Sequence, residues 1–336
     1  MWLLGAGLLG MENTEPVLTR FEFTRTEMAV PITIVIYSDD DTNANRASKA
    51  AFDRIHELND IMSDYDPQSE LSRLCHGYST GESVHISDDL WRVLACSQDL
   101  SARTDGAFDI TVGPVVRLWR RARQLKEMPS PEALKKALAH VDFRFIRLDA
   151  EDHQVKLLKP DMRLDLGGIA KGYALDEAYS TLKKNGIDRA MIEAGGDIRL
   201  GEPPPNKPGW RIGVAQSDAK SPPRFYLWLS RKAVATSGDM WQFVIIDGKR
   251  YSHIVDPKSG IGLTDHRQVT VVAPDGITAD GLATAVSVLG PEKGLKLIEN
   301  TPNTATYIMR APNGKIESQA SEHWRDLLNA EYKTQN

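Results

Sequence analysis

The alternation of apolar and polar positions divides this chain into recognisable elements. Phe21 to Arg25 and Ile32 to Tyr37 alternate with the period of two expected of strands, joined through Met28-Ala29-Val30-Pro31. Between Asn45 and Tyr65 the period changes. Ala51, Ile55, Leu58, Met62 and Tyr65 recur at i, i+4, i+7, i+11 and i+14, one stripe of a long helix. Tyr65 closes that stripe beside Asp66-Pro67, where a phenol would leave the core and face a ligand. Helical patterns follow at Ser69–Cys75, Asp88–Arg103, Ile169–Lys184, Thr278–Leu289 (stopped by Gly290-Pro291) and Ser321–Ala330. Strand patterns fall at Val84–Ile86, Arg163–Leu166, Ala190–Leu200 (broken by Gly195-Gly196), Trp210–Ala215, Phe225–Leu229, Ala233–Thr236, Gln268–Ala273 and Ala305–Arg310. A hairpin of Phe243–Ile246 and Arg250–Ile254 turns on Asp247-Gly248. Thr104 to Pro114 reads as an extended segment with Phe108 and Asp109 on opposite sides, and Arg117 to Arg123 as the solvated face of a helix. Helices mixed with hairpin-type strands, without a regular βαβ alternation, predict an α+β fold. We expect one composite domain over residues 16–336, built of mixed, largely antiparallel sheets with packed helices.

Residues 1–15 stand apart. The run Trp2 to Met11 is apolar but too short to span a bilayer, and resembles the apolar region of an export signal that lacks its basic start. It carries no cysteine for a lipid anchor. The remaining composition, 41% hydrophobic and 26% charged over 336 residues, is that of a soluble globular protein. A net charge of −5 argues against nucleic acid as a partner, because phosphate binders leave a basic footprint. Cys75 and Cys96 are too few for a disulfide scaffold, lack metal-ligand spacing, and sit beside leucines at helical intervals; they read as buried free thiols.

Three stretches could carry chemistry. In Arg163 to Gly172 a strand pattern meets Gly167-Gly168 and then a helix start, where unpaired backbone N–H groups attract anions. Lys171 falls on the apolar stripe with Leu175 and Leu182, so it requires either an acidic partner or a phosphate, or else snorkels from a glycine-rich packing turn. Asp280 and Thr284 stack four apart on one helix face, a carboxylate and a hydroxyl that suit Mg²⁺. The plainer reading is an acid favouring a helix N-terminus and a threonine facing solvent. His253 ends a hairpin strand, where a base of near-neutral pKa would be presented to a site, although a hairpin histidine can equally be structural. Ser252, His253 and Asp256 lie in one short segment and cannot fold into a triad.

Taken together these stretches resemble one family. Met-Ser-x-Tyr-x-Pro-x-Ser-Glu-Leu-Ser-Arg-Leu at Met62–Leu74, Gly-Ala-Phe-Asp-Ile-Thr-Val-Gly-Pro at Gly106–Pro114, Asp-Leu-Gly-Gly-Ile-Ala-Lys-Gly at Asp165–Gly172, Ala-Gly-Gly-Asp at Ala194–Asp197, Ser-His-Ile-Val-Asp-Pro at Ser252–Pro257 and Ala-Asp-Gly-Leu-Ala-Thr-Ala at Ala279–Ala285 are similar, in the same order, to the ApbE-type FAD:protein FMN transferases. The resemblance implies a Mg²⁺-dependent transferase that takes FAD as substrate, attaches FMN through a phosphoester to a threonine of a target protein, and releases AMP. It implies FAD contacts at Met28, Tyr65, Gly106, Ala107, Phe108, Asp165, Lys171 and Ile254, metal ligands at Gly168 (through its carbonyl), Asp280 and Thr284, and a base at His253. It also implies targets among threonine-containing subunits of membrane redox complexes, of the NADH:quinone reductase or Rnf type, and a periplasmic, inner-membrane-associated setting. Two positions depart from the family pattern: Gly168 stands where many relatives carry Ala, and Cys75 where Asn is common. A Mg²⁺-dependent FAD pyrophosphatase and a non-catalytic FAD-binding protein are the rival expectations.

Overall fold

A computed structural model describes residues 17–214, 222–239, 242–312 and 315–334. The N-terminal apolar segment lies outside them. Eight strands form one sheet in which spatial order equals chain order: β1 (Thr19–Glu27), β2 (Val30–Ser38), β3 (Ala190–Ala194), β4 (Asp197–Leu200), β5 (Ala233–Gly238), β6 (Arg267–Ala273), β7 (Ala305–Arg310) and β8 (Glu317–Ala320). Every neighbouring pair is antiparallel. The expected α+β class is therefore built as a meander, with the other elements inserted between consecutive strands.

Period-two alternation sends successive side chains to opposite faces of this sheet. Ile32, Ile34 and Ile36 of β2 pack on one side while Val35 packs on the other; Val269 and Val271 of β6 likewise oppose Val272. The first face is covered by helices α1 (Asp41–Met62), α6 (Ala170–Lys184) and α7 (Gly276–Glu299). The second is covered by the ribbon Trp210–Val214/Phe225–Leu229 and by α8 (Glu322–Thr334). The α1 stripe is buried from Ala51 to Met62, with Ala51, Ile55 and Leu58 at 0% exposure, but the helix ends at Met62 and Tyr65 lies beyond it, exposed. Asp40, Ser69 and Ser87 cap α1, α2 (Glu70–His76) and α3 (Asp88–Arg103).

A satellite core joins α4 (Gly113–Leu125) and α5 (Pro131–Leu138) to the hairpin Phe243–Ile246/Lys249–Ser252 through Val115, Trp119, Val244 and Tyr251. The Trp119 indole donates to the Gly260 carbonyl at 2.7 Å, which pins the loop after His253 onto α4.

Four sequence expectations need correction. Arg163–Leu166 is not a strand: Asp165 N–H donates to the Ile110 carbonyl and Leu164 N–H to Cys75 Sγ, so its backbone bonds leave no ladder. Thr104–Pro114 is not extended but a turn followed by a 3₁₀ segment, Ile110–Val112, capped by Asp109, and both Phe108 and Asp109 are buried. The two cysteines are free but half-buried rather than fully enclosed. Arg117–Arg123 is not uniformly solvated, because Arg120 turns inward to two carboxylates. Gly290 stops the first part of α7 as expected: its φ of 76° breaks the helix before Pro291, and the chain then resumes to Glu299.

Candidate active site

Helices α6 and α7 cross at their N-terminal ends with almost no side chain between them. A Cβ on Gly172 would overlap the Gly276 carbonyl and stand 2.8 Å from Asp280 Cβ, so only glycine permits this approach. Each helix caps the other. Asp280 of α7 accepts from Gly172 N–H in the first turn of α6 at 3.1 Å, where no side chain of α6 itself caps. Asp176 of α6 accepts from Gly276 N–H at 2.8 Å and Ile277 N–H at 3.0 Å at the start of α7. Two helix N-termini, each with its dipole's positive end, are thereby brought to one place.

Lys171 occupies that crossing. Its ammonium bonds Asp197 Oδ2 and lies 3.7 Å from Asp280 Oδ2. Burial alone would depress the lysine pKa, but Asp197 and Asp280 outweigh it and hold the side chain firmly protonated. Asp280 behaves oppositely: burial, helped by Asp197 and resisted by Lys171, pushes its carboxyl up to about 7. One ammonium between two buried carboxylates leaves negative charge under-compensated, a setting that favours a further cation.

The neighbours of Asp280 have the chemistry such a cation needs. A Cβ on Gly168 would stand 2.9 Å from Thr284 Oγ1, so the turn before α6 abuts the same face of α7. The Gly168 carbonyl, an Asp280 carboxylate oxygen and the Thr284 hydroxyl are hard oxygen donors, few in number, and so match Mg²⁺, which retains water and substrate oxygens in its shell. Among the described residues no group of three or more His, Cys, Asp and Glu side chains could hold a metal by itself. The close approach at Gly168 also gives its identity a physical reason.

The remaining predicted residues lie on the same turn and on other segments. Asp165, on the same turn, accepts from Gly167 N–H at 2.9 Å and from Arg120 at 3.0 Å. Tyr65 projects from the turn after α1, 74% exposed, with the Arg120 guanidinium 4.2 Å from its ring centroid. Gly106, Ala107 and Phe108 end a turn whose Asp105 pairs with Lys258 at 2.5 Å, tying it to the loop after His253. Beside Ala107 opens a cavity of about 540 Å³, also lined by Lys258, Val288, Leu289 and Lys293, one turn of α7 beyond Thr284. Met28 sits half-buried at the β1–β2 turn with φ 50°. Ile254 is buried next to His253. The structure thus brings Gly168, Lys171, Asp280 and Thr284 together directly, and joins Tyr65 to Asp165 through Arg120; among the described residues no hydrogen bond links Met28, Ile254 or His253 to that centre.

His253 is anchored twice to one atom. Its backbone N–H and its Nδ1 both lie 3.0 Å from the Gln242 carbonyl. A carbonyl only accepts, so Nδ1 carries the proton and Nε2 keeps its lone pair, without a partner among the described residues. Burial lowers its pKa, and the positive charges of Arg123 and Lys171 lower it further, keeping the ring neutral. Ser252 Oγ accepts from Ile254 N–H and Asp256 from Lys258 N–H, so no triad forms.

Two residues of the site and its surroundings were not evident in the sequence. Asp197 was visible only as the last member of Ala194–Asp197, and its role follows from β4 reaching Lys171 across the sheet. Arg120 was hidden within a basic run.

The sequence profile of the ApbE family matches residues 28–309. A Haemophilus influenzae protein named FAD:protein FMN transferase is 35% identical over 276 residues, covering 80% of this chain and 79% of its own. A Vibrio cholerae protein of the same name is 30% identical over 336 residues, covering 97% and 98%. The solved flavin transferase ApbE from Vibrio cholerae superposes with a TM-score of 0.81 at 29% identity, over 93% of this chain and all (100%) of that one. The ApbE protein from Thermotoga maritima gives 0.82 at 30% identity, over 92% and 99%.

Proposed function

This chain belongs to the ApbE family, and on that premise we propose how its site performs FMN transfer. The protein is a transferase, an FAD:protein FMN transferase: FAD is its substrate and a protein is its acceptor. The arrangement at the α6–α7 crossing is the observation that carries the site assignment, because it concentrates two helix N-termini, a protonated lysine and three hard oxygen donors at one point.

In the reaction, the acceptor threonine Oγ attacks the phosphorus on the FMN side of the FAD pyrophosphate. The new P–O bond forms as the bridging P–O bond breaks, and AMP departs with the bridging oxygen. His253 Nε2, held neutral and open, takes the threonine proton, a contribution of about 10²–10⁴ in rate for a positioned base. Lys171, held protonated by Asp197 and Asp280, would neutralise phosphate oxygens. Gly168, Asp280 and Thr284 would hold Mg²⁺, which when bound supplies charge neutralisation on the pyrophosphate. Met28, Tyr65, Gly106, Ala107, Phe108, Asp165 and Ile254 contact the nucleotide in this reading, supported by the link of Tyr65 to Asp165 through Arg120 and by the cavity beside Ala107, lined by α7 one turn beyond Thr284.

We further propose that the acceptors are threonine-bearing subunits of membrane redox complexes, of the NADH:quinone reductase or Rnf type, modified on the periplasmic side. The apolar stretch Trp2 to Met11 supports export. No helix among the described residues is long and apolar enough to cross a membrane.

The test is to incubate the protein with FAD, Mg²⁺ and a threonine-bearing target subunit and to weigh the target. Transfer makes the target heavier by one FMN unit and releases one AMP for each. FMN and AMP free in solution with an unmodified target would instead establish a pyrophosphatase, and intact FAD a binder.

A further inference from the structure

Tyr65 is among the most exposed large side chains of the protein, yet its ring is not free. The Arg120 guanidinium lies 4.2 Å from the ring centroid, and the same group donates to Asp64 and, at 3.0 Å, to Asp165. The arginine side chain is 22% exposed, between carboxylates that are 21% and 11% exposed. A planar cation fixed by two carboxylates stacks on an aromatic ring far better than a mobile one, and only a guanidinium offers both the fork and the flat face. One face of Tyr65 is therefore covered by a rigid plane while the ring as a whole stays 74% exposed, leaving area for a second planar group. Arg117, Arg120 and Arg123 are spaced three apart on α4, but among the described residues Arg120 alone of these forms ion pairs.

We propose that Arg120 is a positioning residue for the nucleotide: it sets the Tyr65 ring as a stacking platform for a flat ring of FAD and fixes Asp165 as a hydrogen-bond acceptor at the edge of that ring. The proposal rests on the reading of Tyr65 and Asp165 as FAD contacts. Arg120 touches neither the pyrophosphate centre nor the base, so its effect falls on binding and leaves the chemical step alone. The sign of the local electrostatics agrees. Burial and the nearby Asp64 raise the Asp165 carboxyl's pKa, and Arg120 is the charge that opposes them.

The experiment compares the full-length parent protein with Arg120→Met, Arg120→Lys, Tyr65→Leu and the Arg120→Met/Tyr65→Leu pair. We expect Arg120→Met to raise the KM for FAD about ten-fold with kcat within about three-fold of the parent, the signature of lost binding common to ground and transition states. Arg120→Lys, which keeps the charge and ion pairs and so the fold but loses the flat face, recovers only part of that affinity. The double variant loses less than the product of the two single losses, since part of the arginine's effect acts through the ring and the rest through Asp165. Losses that multiply in the double variant, or a fall in kcat at unchanged KM, would overturn the proposal. Titrating FAD by flavin fluorescence reads the same coupling without turnover. Failure of the parent protein to transfer FMN would thus count against the transferase reading, while this comparison would still decide the role of Arg120.

Discussion

The α6–α7 crossing and the α4-and-hairpin side are built on opposite plans. At the α6–α7 crossing every charged group has a partner before any substrate arrives: Lys171 with Asp197 and Asp280, Asp280 with the Gly172 amide, Asp176 with the start of α7. On the α4-and-hairpin side the working groups are left open, with Tyr65 exposed and His253 Nε2 unpartnered among the described residues. In the proposed site the first side is a field fixed by its own ion pairs and caps before a pyrophosphate binds. The second must admit a protein acceptor, and groups that meet a partner only transiently cannot be sealed in. Substitutions on the first side should therefore damage both fold and turnover, and those on the second turnover or affinity alone.

The largest effect is expected at the crossing. Asp280→Ala removes a proposed metal-binding oxygen and the cap of α6 at once, and we predict no labelled target in an assay able to see about one part in 10⁴ of parent activity. Next, His253→Ala should slow transfer by about 10²–10⁴ while FAD binding, followed by flavin fluorescence, changes little. Loss of FAD binding in that variant would move the histidine from base to cofactor contact. Asp197→Asn separates the two plans most clearly. It strips Lys171 of its nearest carboxylate in a site where Asp197 is 5% exposed, so both stability and kcat should fall, the stability by about 3 kcal/mol in urea unfolding. An unchanged midpoint would mean the pair is not part of the fixed field.

Acidity provides a finer comparison. As the proposed base His253 would work only when neutral, and burial with Arg123 and Lys171 sets its pKa below the ordinary imidazole value of about 6.5. The rate should thus rise with pH along a limb centred below that value and be flat above it. Arg123→Gln removes one of the charges depressing it, so the limb should move toward higher pH, and an unmoved limb would show that another group titrates there. The smallest effect is expected for Gly168→Ala. The added methyl forces Thr284 to give way, and a few-fold rise in the Mg²⁺ needed for half-maximal transfer should follow.

How legible each side was in the sequence follows the same division. The crossing announces itself locally. A lysine on an apolar stripe, glycines that admit backbone contact, and an acid and hydroxyl four apart on a helix are all short-range patterns, and each was placed as read. The identity of the lysine's partner was not legible, because Asp197 reaches it only through the pairing of β4 with its sheet neighbours. The open side is almost wholly long-range. Arg120 lies 56 residues from Asp64 and 45 from Asp165, so nothing in its own helix distinguished it from Arg117 or Arg121. Arg163–Leu166 alternates like a strand but finds its partners in a turn and a cysteine, an instance of tertiary contacts overriding a short pattern. Short pieces such as Ile146–Asp149, Gln154–Leu157, Glu317–Ala320 and α5 escaped notice because so few residues carry no clear period.

The most direct test of the fixed-field claim is to grow crystals of the protein with FAD and Mn²⁺ in place of Mg²⁺ and to locate the metal by its anomalous scattering. We predict one strong peak within direct coordination distance of the Gly168 carbonyl, an Asp280 oxygen and the Thr284 hydroxyl, with pyrophosphate oxygens completing its shell beside Lys171. A metal bound elsewhere on the pyrophosphate, with Asp280 and Thr284 bonded only to protein, would contradict it.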